Sequence, residues 1–241
     1  MTHRLIAKPF EAGAGSAGRP GPLGAILAGG TSRRFGGRPK ALAEVGGRPI
    51  LERVRDALDT VAEDVVLIAN DPAPYSPFDL LILGDAFEGV GPLAGLHAAL
   101  AWARERGLPG ALCVACDMPF VSADVLRTVW ARARETGANV VAPWSAGPRG
   151  VEPLCAYYAV ASLETIAGRA RARAGELVEL LDALGAEVLP REEVEAMGDP
   201  ERLFMNVNDS AGLERARALA APAPTTAPAP SPGVARRPDH P

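Results

Sequence analysis

Several things are scarce in this chain, and each scarcity removes a class of function. Aromatic residues make up 5% of its 241 positions, too few for the stacking platforms on which proteins hold single-stranded nucleic acid. Positive charge is not in excess: the formal net charge is −4, which argues against general affinity for nucleic acid. Cysteine occurs three times, as Cys113, Cys116 and Cys155. A low, odd count in a chain of this size does not suit a disulfide scaffold, and a reducing compartment fits it. No apolar run approaches the ~20 residues of a membrane-spanning helix. The first 22 residues hold Arg4, Lys8, Pro9 and Glu11 without a long apolar stretch, so no signal peptide is read there. The expectation is a cytoplasmic protein with neither a nucleic-acid nor a membrane partner. Lysine is rare as well, which makes Lys40 conspicuous.

What is present begins with Leu23 to Leu42, LGAILAGGTSRRFGGRPKAL. Leu23 to Ala28 is a short apolar run that reads as a buried strand. Gly29 to Gly37 is a turn rich in Gly and Arg, and from Ala41 the pattern turns helix-forming. A strand that runs into a Gly-rich loop is a common phosphate cradle, because backbone N–H groups unobstructed by Cβ can close on an anion. Arg33, Arg34, Arg38 and Lys40 put four cations within eight residues, a density that suits a polyphosphate; a surface loop with solvated arginines is the alternative at this point. The spacing matches neither GxxxxGK[ST] nor GxGxxG, so the loop is neither a Walker loop nor a dinucleotide fingerprint.

Along the chain, strands and helices alternate. Residues 1–21 and 221–241 are rich in Gly, Ala and Pro and are expected to be disordered, leaving a folded domain over 22–220. Within it, strands are expected at 64–69, 80–83, 111–115, 138–142, 153–160 and 186–189. Amphipathic or helix-forming stretches cover 50–61, 93–106, 163–173, 175–184 and 211–220. Ser122 is a plausible N-cap for a further helix striped by Val125, Leu126, Val129 and Ala133. This alternation implies an α/β domain with a mostly parallel sheet covered on both faces. In such sheets ligands bind beyond the carboxyl ends of the strands. Gly29, Gly30, Asn70, Asp85 and Asp117 all fall just after expected strands, and that convergence points to one site.

Asp117, in ALCVACDMPF, is a carboxylate at the end of a buried strand. Mg²⁺ takes hard oxygen ligands, usually one or two carboxylates with substrate phosphates; a turn or N-cap aspartate is the bland alternative. Cys113 and Cys116 form a CxxC, but their odd separation in a strand sends them to opposite faces, which suits core packing better than redox chemistry. His97 has no catalytic partner in view. Gly91-Pro92-Leu93 runs into a helix whose N-terminal N–H groups favour an anion or a polar base edge. Asn206 and Asn208, in FMNVND, would share a face if extended; alternatively they, Asp209 or Ser210 cap the last helix.

Together these stretches resemble the sugar-nucleotide-type nucleotidyltransferases. LAGGTSRRFGGRPKAL is similar to the motif LAGGxSxRxGxxKxL, and the molybdenum cofactor guanylyltransferase branch matches best, through IAND, GPLAGL, CDMPF, EPLCAYY and the terminal FMNVND. The resemblance spans about Gly21 to Leu219. It implies a Rossmann-like three-layer fold and Mg²⁺-dependent transfer of GMP from GTP to the terminal phosphate of molybdopterin, with release of pyrophosphate. It further implies that Leu27, Ala28, Gly29 and Gly30 hold the nucleotide and that Arg34 and Lys40 hold its phosphates. Asn70 and Asp85 would help bind the nucleotide, Asp117 would ligate Mg²⁺, and Asn206 and Asn208 would lie near the acceptor or the α-phosphate. GTP and molybdopterin are the implied small-molecule partners, and molybdoenzyme chaperones or other cofactor-biosynthesis proteins are candidate macromolecular ones. A cytidylyltransferase, a sugar-phosphate or phospholactate-type transferase, and a catalytically silent nucleotide-binding partner in cofactor delivery are the competing readings. LAGG rather than LAAG tilts the family reading toward guanine. Two departures stand out: Pro39 replaces the usual acidic residue before Lys40, and NVND continues into SAGL.

Overall fold

The computed structural model describes residues 20–29, 39–87, 89–174 and 176–221. The segments expected to be disordered, apart from 20, 21 and 221, lie outside the described residues. So do Gly30, Arg33, Arg34 and Arg38 of the basic loop.

Strands β1 (Leu23–Leu27), β4 (Asp64–Ile68), β5 (Leu81–Leu83), β6 (Gly110–Ala115), β7 (Val140–Pro143), β8 (Cys155–Ala159) and β9 (Glu187–Leu189) form one sheet in the order β5-β4-β1-β6-β8-β7-β9. All the pairings are parallel except those of β8, which runs antiparallel to both β6 and β7. The expected strand over 153–160 is therefore present, but reversed. No helix separates β7 from β8, so the chain returns directly and pairs antiparallel, whereas a parallel return needs a long crossover. β2 (Glu44–Val45) and β3 (Arg48–Pro49) make a small separate hairpin.

The sheet is buried on both faces because its strands alternate apolar residues to each side. One face, carrying Leu23, Ala25, Leu27, Ala111 and Cys113, packs against α2 (Pro92–Glu105), α4 (Leu163–Arg171) and α5 (Leu177–Ala183). The other, carrying Ile26, Leu67, Leu112 and Val114, packs against α1 (Ile50–Asp59), α3 (Ala123–Thr136), α6 (Arg191–Met197) and α8 (Ser210–Ala220). The result is the three-layer α/β/α arrangement. Cys113 belongs to the first core and Cys116 to the second, as their odd spacing requires, and all three cysteines are free and buried.

Local sequence accounts for the ends of several elements. The Ser122 side chain accepts the Val125 N–H at 3.3 Å and caps α3. Asp209 accepts the Gly212 N–H at 2.7 Å and caps α8. Gly91, at φ 60°, turns the chain into α2, whose first residue is Pro92; positive φ there suits glycine, and proline suits the first helical position. Among the described residues no helix is long and apolar enough to cross a membrane.

Candidate active site

The register of the sheet builds the site. Leu27 pairs with Ile68 on one side and Ala115 on the other, and Ile68 pairs with Leu83. Four parallel strands thus end on one row. The ladder continues one residue further: the Ala28 N–H donates to Ile68 O at 2.9 Å, Ala69 N–H to Leu83 O at 2.9 Å, and Cys116 N–H to Leu27 O at 3.1 Å. Beyond that row the backbone is released, and Ala28-Gly29, Asn70, Asp85 and Asp117 emerge together into a cleft of about 1370 Å³.

Asn70 and Asp85 are locked to one another. Asn70 Nδ2 donates to Asp85 Oδ2 at 3.0 Å, and the Asp85 N–H donates to Asn70 Oδ1 at 3.0 Å. This two-point clasp joins the loops after β4 and β5 into one rim. It leaves one Asp85 carboxylate oxygen and one amide hydrogen of Asn70 free of that pairing. Gly91, Pro92, Ala94 and Gly95, at the start of α2, complete this side. A Cβ on Gly95 would come 3.2 Å from Leu27 Cδ2, so glycine there lets α2 approach the strand end closely.

Asp117, Lys40 and Asn208 meet on the opposite side. Lys40 opens a 3-10 turn over Lys40–Leu42, preceded by Pro39 in extended geometry at φ −59°, ψ 132°. The Pro39 carbonyl accepts the Leu42 N–H at 3.1 Å, so the unexpected proline is accommodated as the residue that starts this turn. Lys40 Nζ donates to Asn208 Oδ1 at 2.7 Å and lies 3.6 Å from Asp117 Oδ2. The two side chains are mostly buried, at 24% exposure for Lys40 and 17% for Asp117. Burial raises the Asp117 carboxyl above its ordinary range, and the Lys40 ammonium partly offsets this. A carboxylate placed so has much to gain from a further cation.

The terminal segment reaches the site through one backbone bond. The Val207 N–H donates to Asp117 O at 2.9 Å, and the Val207 side chain is fully buried. That bond carries Asn206 and Asn208 to the cleft, which both line. They act differently there: Asn208 engages Lys40, while Asn206 Nδ2 turns back to Phe204 O at 3.1 Å. Because Asp209 caps α8, Asn208 is spared that duty.

Glu152 also lines the cleft. It stands in the EPLCAYY stretch, yet the sequence alone suggests no role for it. Its carboxylate accepts the Leu154 N–H at 3.1 Å. Burial raises it above the ordinary carboxylate range, Asp117's charge adds to the rise, and Arg149 opposes it. The signal that would have found it is a glutamate in an apolar, strand-leading stretch, VEPLCAYY, where a charge is costly without purpose. Cys116, in the cleft wall, has its thiol pushed up to about 12 by burial, so it stays protonated and takes no nucleophilic part.

The donors present fit Mg²⁺. Asp117 and Glu152 present hard oxygen donors to one cleft. Mg²⁺ takes one or two carboxylates and completes its shell with phosphate and water. Of the residues expected at the site, the fold brings together Leu27, Ala28, Gly29, Lys40, Asn70, Asp85, Asp117, Asn206 and Asn208. Gly30 and Arg34 lie outside the described residues.

Comparison with known proteins places the chain in a family. Residues 24–187 match the model of the MobA-like NTP transferase domain. The molybdenum cofactor guanylyltransferase of Desulfosudis oleivorans is 35% identical over 196 residues, 81% of this chain and 94% of its own length. That of Cereibacter sphaeroides is 34% identical over 198 residues, 82% of this chain and 96% of its own. Among solved structures, molybdopterin-guanine dinucleotide biosynthesis protein A from Archaeoglobus fulgidus superposes with a TM-score of 0.69 at 26% identity, covering 82% of this chain and 97% of that one. With the family model matching more than half of its length and the fold in agreement, this chain is a nucleotidyltransferase and belongs to the MobA-like NTP transferase family.

Proposed function

We propose that the enzyme transfers GMP from GTP to the terminal phosphate of molybdopterin and releases pyrophosphate. The observation that carries the reading is the meeting of Asp117, Lys40 and Asn208 across the cleft from the Asn70–Asp85 clasp. One side offers polar groups to a base and ribose, the other offers charge to a triphosphate. The names of the relatives support this choice of acceptor and base.

In this reading an oxygen of the acceptor phosphate bonds to the α-phosphorus, the bond from that phosphorus to the β-bridging oxygen breaks, and the electron pair leaves with pyrophosphate. The acceptor is already anionic, so the step needs no strong general base. Its difficulty is the approach of one anion to another. Lys40, with Arg34 from the basic loop, would offset that repulsion and the charge growing on the leaving group. Asn208 holds the Lys40 ammonium in place, and Asp117 anchors it from the other side. Asp117 would hold Mg²⁺, with Glu152 as a second oxygen donor, and the bound ion would supply Lewis-acid polarisation of the phosphates. Leu27 and Ala28 would wall the nucleotide at the strand end, Gly29 and Gly30 would offer it backbone N–H groups, and Asn206 would face the acceptor. The folded unit that does this is residues 22–220.

The test is pyrophosphate release by the purified protein with Mg²⁺ and molybdopterin, given GTP or CTP in parallel. Release with GTP alone is expected. Release with CTP alone would move the enzyme to cytidylyl transfer, and silence with both nucleotides would overturn the acceptor.

A further inference from the structure

A second cavity, of about 480 Å³, lies behind the active cleft, among α1, the hairpin residue Arg48, residues 119–121 and α7 (Pro200–Leu203). Three arginines line it: Arg48, Arg53 and Arg202. They are not equally satisfied. Arg48 is matched by carboxylates, with Nη1 2.8 Å from Asp56 Oδ2 and Nε 3.4 Å from Glu52 Oε2. Arg53 is oriented by a carbonyl, its Nε donating to Val45 O at 2.8 Å. Arg202 donates to Leu219 O at 3.3 Å and lies 5.0 Å from the centroid of the Phe120 ring. Among the described residues neither Arg53 nor Arg202 has a carboxylate in ion-pair contact. Of the carboxylates that line the cavity, Asp56 is taken by Arg48 at its edge, and Asp199 accepts the Glu201 N–H at 3.0 Å as the cap of α7.

We propose that this cavity is a second oxyanion site, which takes a phosphate group on Arg53 and Arg202 with Arg48 at its edge. Guanidinium groups fixed by neutral carbonyls keep their remaining N–H donors and their whole charge for an anion. Two such groups, Arg53 on α1 and Arg202 on α7, with the carboxylate-paired Arg48 at the edge, approach from separate elements and suit a tetrahedral phosphate, whose oxygens point several ways, better than a planar carboxylate. The surroundings of Arg53 agree: burial first, then the charges of Arg48 and Arg202, make its protonated form harder to hold, and only Asp56 opposes them. Part-buried positive charge kept among positive charges is what a bound anion relieves.

The place of the cavity gives the site a consequence. Asp117 and Met118 line the active cleft, and Pro119, Phe120 and Val121, next in sequence, line the second cavity. α7 is likewise shared, with Pro200 and Glu201 facing the cleft and Arg202 and Leu203 facing the cavity. An anion bound on Arg202 therefore bears on a wall common to both.

The test is calorimetric titration of the full chain, without nucleotide or Mg²⁺ and at constant ionic strength, with inorganic phosphate and separately with pyrophosphate. Lys40→Ala is the background, because it weakens anion binding in the active cleft. Expected is a binding event that survives Lys40→Ala and weakens about tenfold or more when Arg53→Gln or Arg202→Gln is added, the scale of losing one charge-assisted hydrogen bond. Arg202 is exposed, so Arg202→Gln reads out binding even if Arg53→Gln disturbs the fold. Absence of any binding in Lys40→Ala, or binding indifferent to Arg202→Gln, overturns the proposal.

Discussion

Lys40 is held by two partners, and the consequences of removing each differ. Its ammonium is the described cation closest to Asp117, and Lys40→Ala is expected to lower turnover on the order of a hundredfold, as for loss of a group aimed at developing charge. Asn208→Ala removes only the hydrogen bond that orients Nζ and leaves Asp117 to hold it, so a smaller loss is expected. Asp117→Ala is expected to abolish turnover. Steady-state rates of pyrophosphate release for the three variants check the ranking; normal turnover in Asp117→Ala would remove its metal role, and a fully active Lys40→Ala would make that cation a surface charge. At this scale the sequence made most of the site legible. Gly29, Lys40, Asn70, Asp85, Asp117 and Asn208 were each nameable because a polar or glycine residue follows an apolar run or stands in a matched motif. Glu152 stands in the matched EPLCAYY stretch as well, but a role for it emerges only from its part-buried place near Asp117, 35 residues away in sequence.

The elements themselves were legible wherever periodicity and punctuation agreed. β1, β4, β6 and α2 lie within one or two residues of their expected spans, and α3 starts just after its expected cap, Ser122. The short pieces were not: the β2–β3 hairpin, α6 and α7 carry too few residues to show a period. The reversal of β8 was equally hidden, since apolar alternation is blind to strand direction. Its pairing with β6 leaves a checkable trace. A Cβ on Gly110 would stand 2.3 Å from Tyr158 O and 2.6 Å from Tyr157 Oη. Both obstacles belong to the antiparallel neighbour, and the nearer is a backbone carbonyl, which cannot yield without moving β8. Gly110→Ala is expected to cost about 3 kcal/mol or more, at the upper end for overpacked cores. Urea unfolding measures it, and a loss below about 1 kcal/mol would mean that β6 and β8 sit further apart.

On the scale of the whole molecule, part-buried carboxyls set part of the pH response. Asp64, Asp117 and Glu152 are all raised above their ordinary values, in each case chiefly by burial. A raised carboxyl binds its proton more tightly folded than unfolded. Its contribution to stability is therefore full below the unfolded value, about 3.9 for aspartate, and is lost as pH rises through the folded one. Asp64 stands away from the active cleft, at the start of β4, where Oδ1 accepts the Val65 N–H at 2.9 Å. Asp64→Asn, which resembles the protonated form, is expected to melt higher than the parent at neutral pH. The gap should close as pH falls toward about 4. Thermal unfolding across that range tests it, and a gap that does not change with pH would show that Asp64 titrates as it does in the unfolded chain.

The sequence by itself determined the class of fold, the edges of its longer elements and several of the polar residues that line the cleft. These follow from local rules: an apolar run must be buried, glycine and proline interrupt it, and ligands gather where parallel strands end. The tertiary structure alone decided which of those residues touch. It set Leu27, Ile68, Leu83 and Ala115 on one row, and through Val207 it brought Asn208 to Lys40, 168 residues away in sequence. It also gathered Arg48, Arg53 and Arg202 around a second cavity. Such meetings depend on register and on backbone hydrogen bonds between distant segments, and no pattern confined to one stretch of chain encodes them.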